Sequence, residues 1–170
     1  MRTGNLLLAI VAPLLSSVTF ASAQAPQRTS ATFEDWTVVC VMPDGKEKTC
    51  ELVHAQLISG QPDPVGQVTI TRTSQRGPYK LILQVPPNIT FATGVRFVFD
   101  EKEQPLVATF RWCINARCRA DADIAEQSLK IMRTRTEPGR VEFREASERE
   151  VTTPVSFKGF KSALEYMEKQ

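Results

Sequence analysis

The stretch Leu106-Val107-Ala108-Thr109-Phe110-Arg111-Trp112-Cys113-Ile114-Asn115-Ala116-Arg117-Cys118 decides the fold class. In its first half Leu106, Ala108, Phe110 and Trp112 alternate with Val107, Thr109 and Arg111. That period of two belongs to a strand with one face turned to a core. The chain then reverses within Ile114-Asn115-Ala116-Arg117, with one cysteine on either side of the reversal. A strand, a short reversal and two sulfurs brought together read as a stapled hairpin.

Working outward, the same period recurs. Trp36, Val38 and Cys40 alternate with Thr37 and Val39; Val68 and Ile70 with Thr69 and Thr71; Val95, Phe97 and Phe99 with Arg96, Val98 and Asp100. Val141 and Phe143 alternate with Glu142 and Arg144, and Val151, Thr153, Val155 and Phe157 form a last row. With Glu51–Ser59 and Leu81–Val85 this makes about eight strand candidates, separated by turn signals such as Gly77-Pro78, Pro86-Pro87-Asn88 and Pro138-Gly139. The expectation is a mainly all-β chain, an antiparallel two-sheet β-sandwich, because one flat sheet would leave its apolar face wet. Two helices interrupt it. Asp121 to Met132 opens with acid in the position of a helix cap and continues with Ile124, Leu129, Ile131 and Met132. At the C-terminus, Phe157, Phe160, Leu164 and Met167 make one helical stripe.

The N-terminus has a different character. Arg2 precedes an apolar run from Leu6 to Leu15, and Ala21-Ser22-Ala23 supplies the small side chains a signal peptidase accepts. Residues 1–23 are expected to be a removed signal peptide. Pro13 and polar Ser16, Ser17 and Thr19 make the run too short for a retained membrane span, and no later segment is apolar enough to be one. Residues 24–32 read as a loose lead-in, and 33–170 as a single β-sandwich domain.

Composition narrows the function classes. Of 170 residues, 24% are charged and 42% hydrophobic, and the formal net charge is +2. The balance is that of a globular protein and gives no field that calls for nucleic acid. The four cysteines, Cys40, Cys50, Cys113 and Cys118, all follow the signal region. In an oxidising compartment they read as two disulfides. Pro43-Asp44-Gly45 folds Cys40 back towards Cys50, and the second reversal does the same for Cys113 and Cys118, so the local pairing is expected. A zinc site is the poorer reading, because neither pair has the two-residue knuckle spacing.

The sequence offers little chemistry. His54 is the one histidine in the chain, and no Gly-x-Ser-x-Gly elbow accompanies it. A satisfied histidine on a strand face is the plainer reading, and a hydrolase built on it the alternative. The pairs Glu34/Asp35, Asp121/Asp123 and Glu148/Glu150 are explained by a strand entrance, a helix start and a charged turn. No phosphate loop or dinucleotide fingerprint is present, so no catalytic residue, cofactor or metal is expected. Arg111, Arg117 and Arg119 gather around the second cysteine pair beside Trp112. Three guanidinium groups on a rigid loop can hold an anionic headgroup, a sugar acid or an acidic protein patch; a solvated hairpin rim is the plainer reading.

The same residues carry a family likeness. Trp36-Thr37-Val38-Val39-Cys40 with Thr49-Cys50-Glu51 resembles the opening of the invasion-associated locus B family. Leu83-Gln84-Val85-Pro86-Pro87 and Gly94-Val95-Arg96-Phe97-Val98-Phe99-Asp100 follow in the same order. Phe110-Arg111-Trp112-Cys113, Cys118-Arg119-Ala120 and the closing Ser156-Phe157-Lys158-Gly159-Phe160-Lys161-Ser162-Ala163-Leu164 complete it. The second proline, Pro87, departs from the pattern within a turn. The resemblance implies an exported, periplasmic or cell-surface envelope protein of Gram-negative bacteria with a β-sandwich fold. In some members it implies a link to host-cell entry, a virulence-associated phenotype rather than a mechanism. The resulting expectation is a non-enzymatic binding module serving host-cell entry or envelope integrity, its partner an unidentified envelope or host-surface protein or glycan. A hydrolase using His54 and a metal carrier are the alternatives.

Overall fold

The computed structural model describes residues 27–43, 45–57, 64–74 and 77–170. The expected signal peptide, the start of the lead-in, Asp44 and the last two residues of the expected Glu51–Ser59 strand lie outside the described residues. In chain order the strands are β1 (Gln27–Phe33), β2 (Trp36–Met42), β3 (Thr49–Gln56), β4 (Gly66–Arg72), β5 (Tyr79–Val85), β6 (Val95–Val98), β7 (Leu106–Ile114) and β8 (Arg117–Ile124). Helix α1 (Glu126–Thr134) follows, then β9 (Gly139–Arg144), β10 (Glu150–Val155) and α2 (Phe160–Glu168).

These strands form one ten-stranded sheet in the order β1-β2-β3-β4-β5-β8-β7-β6-β9-β10. Every pairing in it is antiparallel. The expected two-sheet sandwich of about eight strands is therefore corrected to a single continuous sheet. β7 makes it continuous: Leu106–Ala108 pair with β6, while Thr109–Ile114 pair with β8. The requirement that the apolar face be covered still holds, but the sheet meets it by rolling over on itself. Across the roll, Gln56 Nε2 donates to Thr153 Oγ1 at 2.6 Å, joining β3 to β10. Just beyond β10, the Ser156 carbonyl accepts from the Trp36 indole N–H at 2.8 Å. The inside of the roll is the core, filled by Trp36, Leu52, Ile70, Leu81, Leu83, Phe97 and Phe99.

Two strands were not expected from the sequence: β1, which carries no apolar row, and β8, whose row of Cys118, Ala120, Ala122 and Ile124 is built mainly of small side chains. β1 lies in the stretch expected to be a loose lead-in. It is an exposed edge strand, polar along most of its length, held by a ladder from Gln27↔Met42 to Phe33↔Trp36. β8 runs through Asp121 and Asp123, which were expected to begin a helix. Both acids instead pair from the strand: Asp121 with Arg111, and Asp123 with Lys80 at 2.8 Å. The helix starts only at Glu126, and its cap position, Ala125, makes no side-chain cap bond.

The C-terminal stripe forms α2 as the spacing suggests, with Phe160, Ala163, Leu164 and Met167 buried. Phe160 meets Trp36 edge-on, ring centroids 5.0 Å apart. Burying such a side chain stabilises by about 2–3 kcal/mol. Gly159 permits that docking. It has φ +78°, and a Cβ there would stand 2.0 Å from the Phe33 carbonyl oxygen. The far end of α2 is fixed by Glu168, which accepts from the Tyr79 hydroxyl at 2.5 Å and pairs with Arg133 of α1. Burial, with the Glu168 contact behind it, pushes the Tyr79 hydroxyl up to about 12.

Candidate functional site

The β7–β8 hairpin turns through Asn115 and Ala116 alone, at φ +49° and +61°. Two positive φ values are the signature of a type I′ turn, whose twist matches that of paired strands. Cys113 and Cys118 stand directly opposite in the ladder, Cα atoms 4.0 Å apart, and are bonded. Cys40 and Cys50 are bonded in the same way between β2 and β3. The hairpin outruns its neighbour on the β7 side only. β6 reaches only to Ala108 on one side, and β5 ends opposite Cys118 on the other.

A bulge decides what the hairpin presents. The register slips between Phe110 and Trp112, with Arg111 as the extra residue. Trp112 then leaves the apolar row of Ala108 and Phe110 and faces outward, 46% exposed, with Ile114 beyond it at 57%. The ladder sets each opposite a guanidinium: Trp112 across from Arg119, and Ile114 across from Arg117. Phe91, from the short 3-10 turn Phe91–Thr93, packs on Phe110 at 5.1 Å and is itself exposed.

The three arginines share the hairpin but turn to different partners. Arg111 grips Asp121 through two bonds of 2.6 and 3.1 Å and holds that carboxyl below the usual carboxylate range. Arg117 donates to the Pro64 carbonyl at 3.0 Å. Arg119 lies 5.9 Å from the Trp112 ring centre, within cation–π reach. The arrangement is a cationic and apolar edge, not a cradle in which three guanidiniums surround one small anion. The exposed Trp112 and Ile114 are what the strand period missed, since alternation alone assigned Trp112 to the core row.

His54 occupies a different environment. It is buried on β3, its ring 5.1 Å from that of Trp36, and Nε2 accepts from the Ser156 backbone N–H at 3.3 Å. Burial lowers its pKa, and nearby Asp35 opposes the shift only in part. Nδ1 is buried with no hydrogen-bond partner among the described residues. A shallow cleft beside it is lined by Glu34, Asp35, Thr37 and Pro154 among others. The carboxylate pairs serve structure: Glu34, at φ +51°, makes the β1–β2 turn with Asp35, and Glu148 and Glu150 both pair with Arg144. Among the described residues no group of three or more His, Cys, Asp or Glu side chains could hold a metal ion. Nor is any described helix long and apolar enough to cross a membrane.

The comparisons with known proteins agree with this architecture. The family described as "Invasion associated locus B (IalB) protein" matches residues 36–168. Among solved structures, the chain is similar to invasion-associated protein B from Bartonella henselae, with a TM-score of 0.71 and 22% identity. That likeness covers 82% of this chain and 94% of the other, and at this identity it speaks to the fold. No curated protein sequence matches. With the family's profile running from the strand-opening Trp36 to Glu168 at the end of the last helix, the chain belongs to the invasion-associated locus B family.

Proposed function

We propose that this protein is an exported, non-enzymatic binding module of the Gram-negative envelope and that it makes contact through the stapled β7–β8 hairpin. One juxtaposition supports the reading: exposed Trp112 and Ile114 stand beside Arg117 and Arg119, which have no carboxylate partner among the described residues. Tryptophan and arginine are the side chains that concentrate binding energy at contact surfaces. A two-residue turn and a disulfide hold them in place beforehand, so little ordering cost falls on association. The two disulfides fit an oxidising compartment.

The rival readings have less support. A hydrolase centred on His54 would need an imidazole nitrogen bonded to a nucleophile, but Nε2 is taken by the Ser156 amide, and Nδ1 has no hydroxyl or thiol within hydrogen-bond reach among the described residues. A thiolate metal carrier lacks ligands, since all four sulfurs are oxidised.

The test is a photo-crosslinking residue at Ile114 in the native bacterium, compared with one at Lys130 on α1. A discrete adduct from position 114 alone is expected; equal labelling at both positions would sink the proposal. Protease cleavage before and after outer-membrane permeabilisation assigns the setting. Cleavage on intact cells points to a host-surface protein or glycan as partner. Protection until permeabilisation points to envelope integrity.

A further inference from the structure

We infer that the β7–β8 hairpin docks on an anionic phospholipid surface, its outer face entering the headgroup layer. The inference rests on the reading above of this hairpin as the contact surface, and it names the partner. Its basis is the pattern of two successive rungs, Trp112↔Arg119 and Ile114↔Arg117, each an apolar side chain directly opposite a guanidinium. At a bilayer interface the apolar member of each rung enters the acyl boundary while the guanidinium stays at phosphate depth. The turn residues Asn115 and Ala116 are small and uncharged, so they add no charge to desolvate at the tip.

The local charge favours an anionic surface. Residues 106–120 contain three arginines and no acid. The nearest carboxylates on β8 are already engaged, Asp121 by Arg111 and Lys80, and Asp123 by Lys80. Arg117 and Arg119 are left to attract anionic lipid, and their divergent partners suit an array of phosphates better than one small anion. Area argues in the same direction. Two rungs of one hairpin fall well short of the roughly 800 Å² per partner that a stable protein interface buries. A bilayer sets no such threshold, because each inserted side chain and each cation adds its own attraction.

The protein carries its own reporter. Of its two tryptophans, Trp36 is buried and Trp112 exposed, so only Trp112 can change environment on docking. The experiment mixes protein purified from cells that export it with vesicles of phosphatidylcholine alone, or of phosphatidylcholine with phosphatidylglycerol. Co-sedimentation and tryptophan emission are read together. Binding to the anionic vesicles alone is expected, with a blue shift that Trp112→Phe removes and added salt reverses. Arg117→Gln with Arg119→Gln should weaken partitioning roughly tenfold or more, and Lys130→Gln on α1 should not. Arg117→Gln also gives up the bond to the Pro64 carbonyl, so a cooperative urea transition is required of each variant as proof that it folds. Failure to bind anionic vesicles, equal binding to both compositions, or indifference to the hairpin variants overturns the inference. A discrete protein adduct at position 114 together with no vesicle binding would overturn the lipid partner and leave the hairpin as a protein-binding surface.

Discussion

The indole N–H of Trp36 donates to the carbonyl oxygen of Ser156 across 2.8 Å, joining the second strand to the segment that leads into the last helix. The two residues are 120 positions apart, and the bond lies where one end of the sheet rolls over the other. Phe160 packs on the same indole from α2. Trp36→Phe keeps an aromatic ring but leaves a cavity and an unpaired carbonyl. It should cost about 2–3 kcal/mol in urea unfolding. A loss below about 0.5 kcal/mol would mean the roll is held elsewhere.

His54 beside it makes stability depend on pH. Burial lowers its folded pKa below 6.5, so the unfolded chain takes up the proton first. Stability from this group is therefore complete above about pH 6.5 and is lost as pH falls from there towards the folded pKa. The slope is at most about 1.4 kcal/mol per pH unit. Protonation also removes the lone pair on Nε2 that accepts from the Ser156 amide. Urea midpoints between pH 8 and pH 5.5 should decline in the natural protein, and His54→Gln should flatten the decline. An equally steep decline in the variant would assign it to other groups.

How far these features were legible in the sequence depended on apolar period. Nine strands show alternation or a short apolar run, β8 through the small side chains of Cys118, Ala120 and Ala122, whereas β1 is an edge strand whose polar face carries no such signal. Asp121 and Asp123 resemble a helix cap because acid at a helix start and acid on the outer face of a strand look alike locally. What distinguishes them is the alternation of Cys118, Ala120, Ala122 and Ile124 with Arg117, Arg119, Asp121 and Asp123, and the cross-strand partners Arg111 and Lys80 agree with it. The bulge at Arg111 was within reach. Ala108 and Phe110 share one face of the sheet, and Cys113, though exposed near the hairpin end, must share it too, because it bonds to Cys118 in the row of buried Ala120. Even and odd positions of one strand can share a face only if one extra residue intervenes. The disulfide thus implies that Trp112 points outward, and the arginines beside it acquire an apolar partner. Their separate bonding partners depend on folded geometry and could not be read from spacing.

Gly159 tests whether the closing Gly-Phe-x-x-Ala-Leu pattern is a packing constraint. Its φ of +78° disfavours any other residue, and a Cβ would collide with the Phe33 carbonyl at the β1–β2 turn. Gly159→Ala must therefore move α2 or the turn, and either shift disturbs the contact between Phe160 and Trp36. A loss of about 3 kcal/mol is expected from strain and lost packing. Thermal unfolding measures it, and a melting temperature within a degree of the natural protein would show that the turn yields freely.

Ala116 gives the opposite sign. It sits at φ +61° in the second central position of the type I′ turn, where a β-carbon is strained and glycine is preferred. Ala116→Gly relieves roughly 1–2 kcal/mol of left-handed strain. The greater freedom of glycine in the unfolded chain returns part of this, about 0.4–1 kcal/mol. The disulfide between Cys113 and Cys118 limits that unfolded freedom, which tilts the balance further towards stabilisation. A net gain of about 0.5–1 kcal/mol is expected in urea unfolding with the disulfide intact. The gain should shrink in the Cys113→Ser, Cys118→Ser double variant, where the unfolded turn is no longer restrained. Stabilisation of the same size in both backgrounds would mean that native strain alone sets the effect, and destabilisation in the oxidised protein would exclude the type I′ geometry.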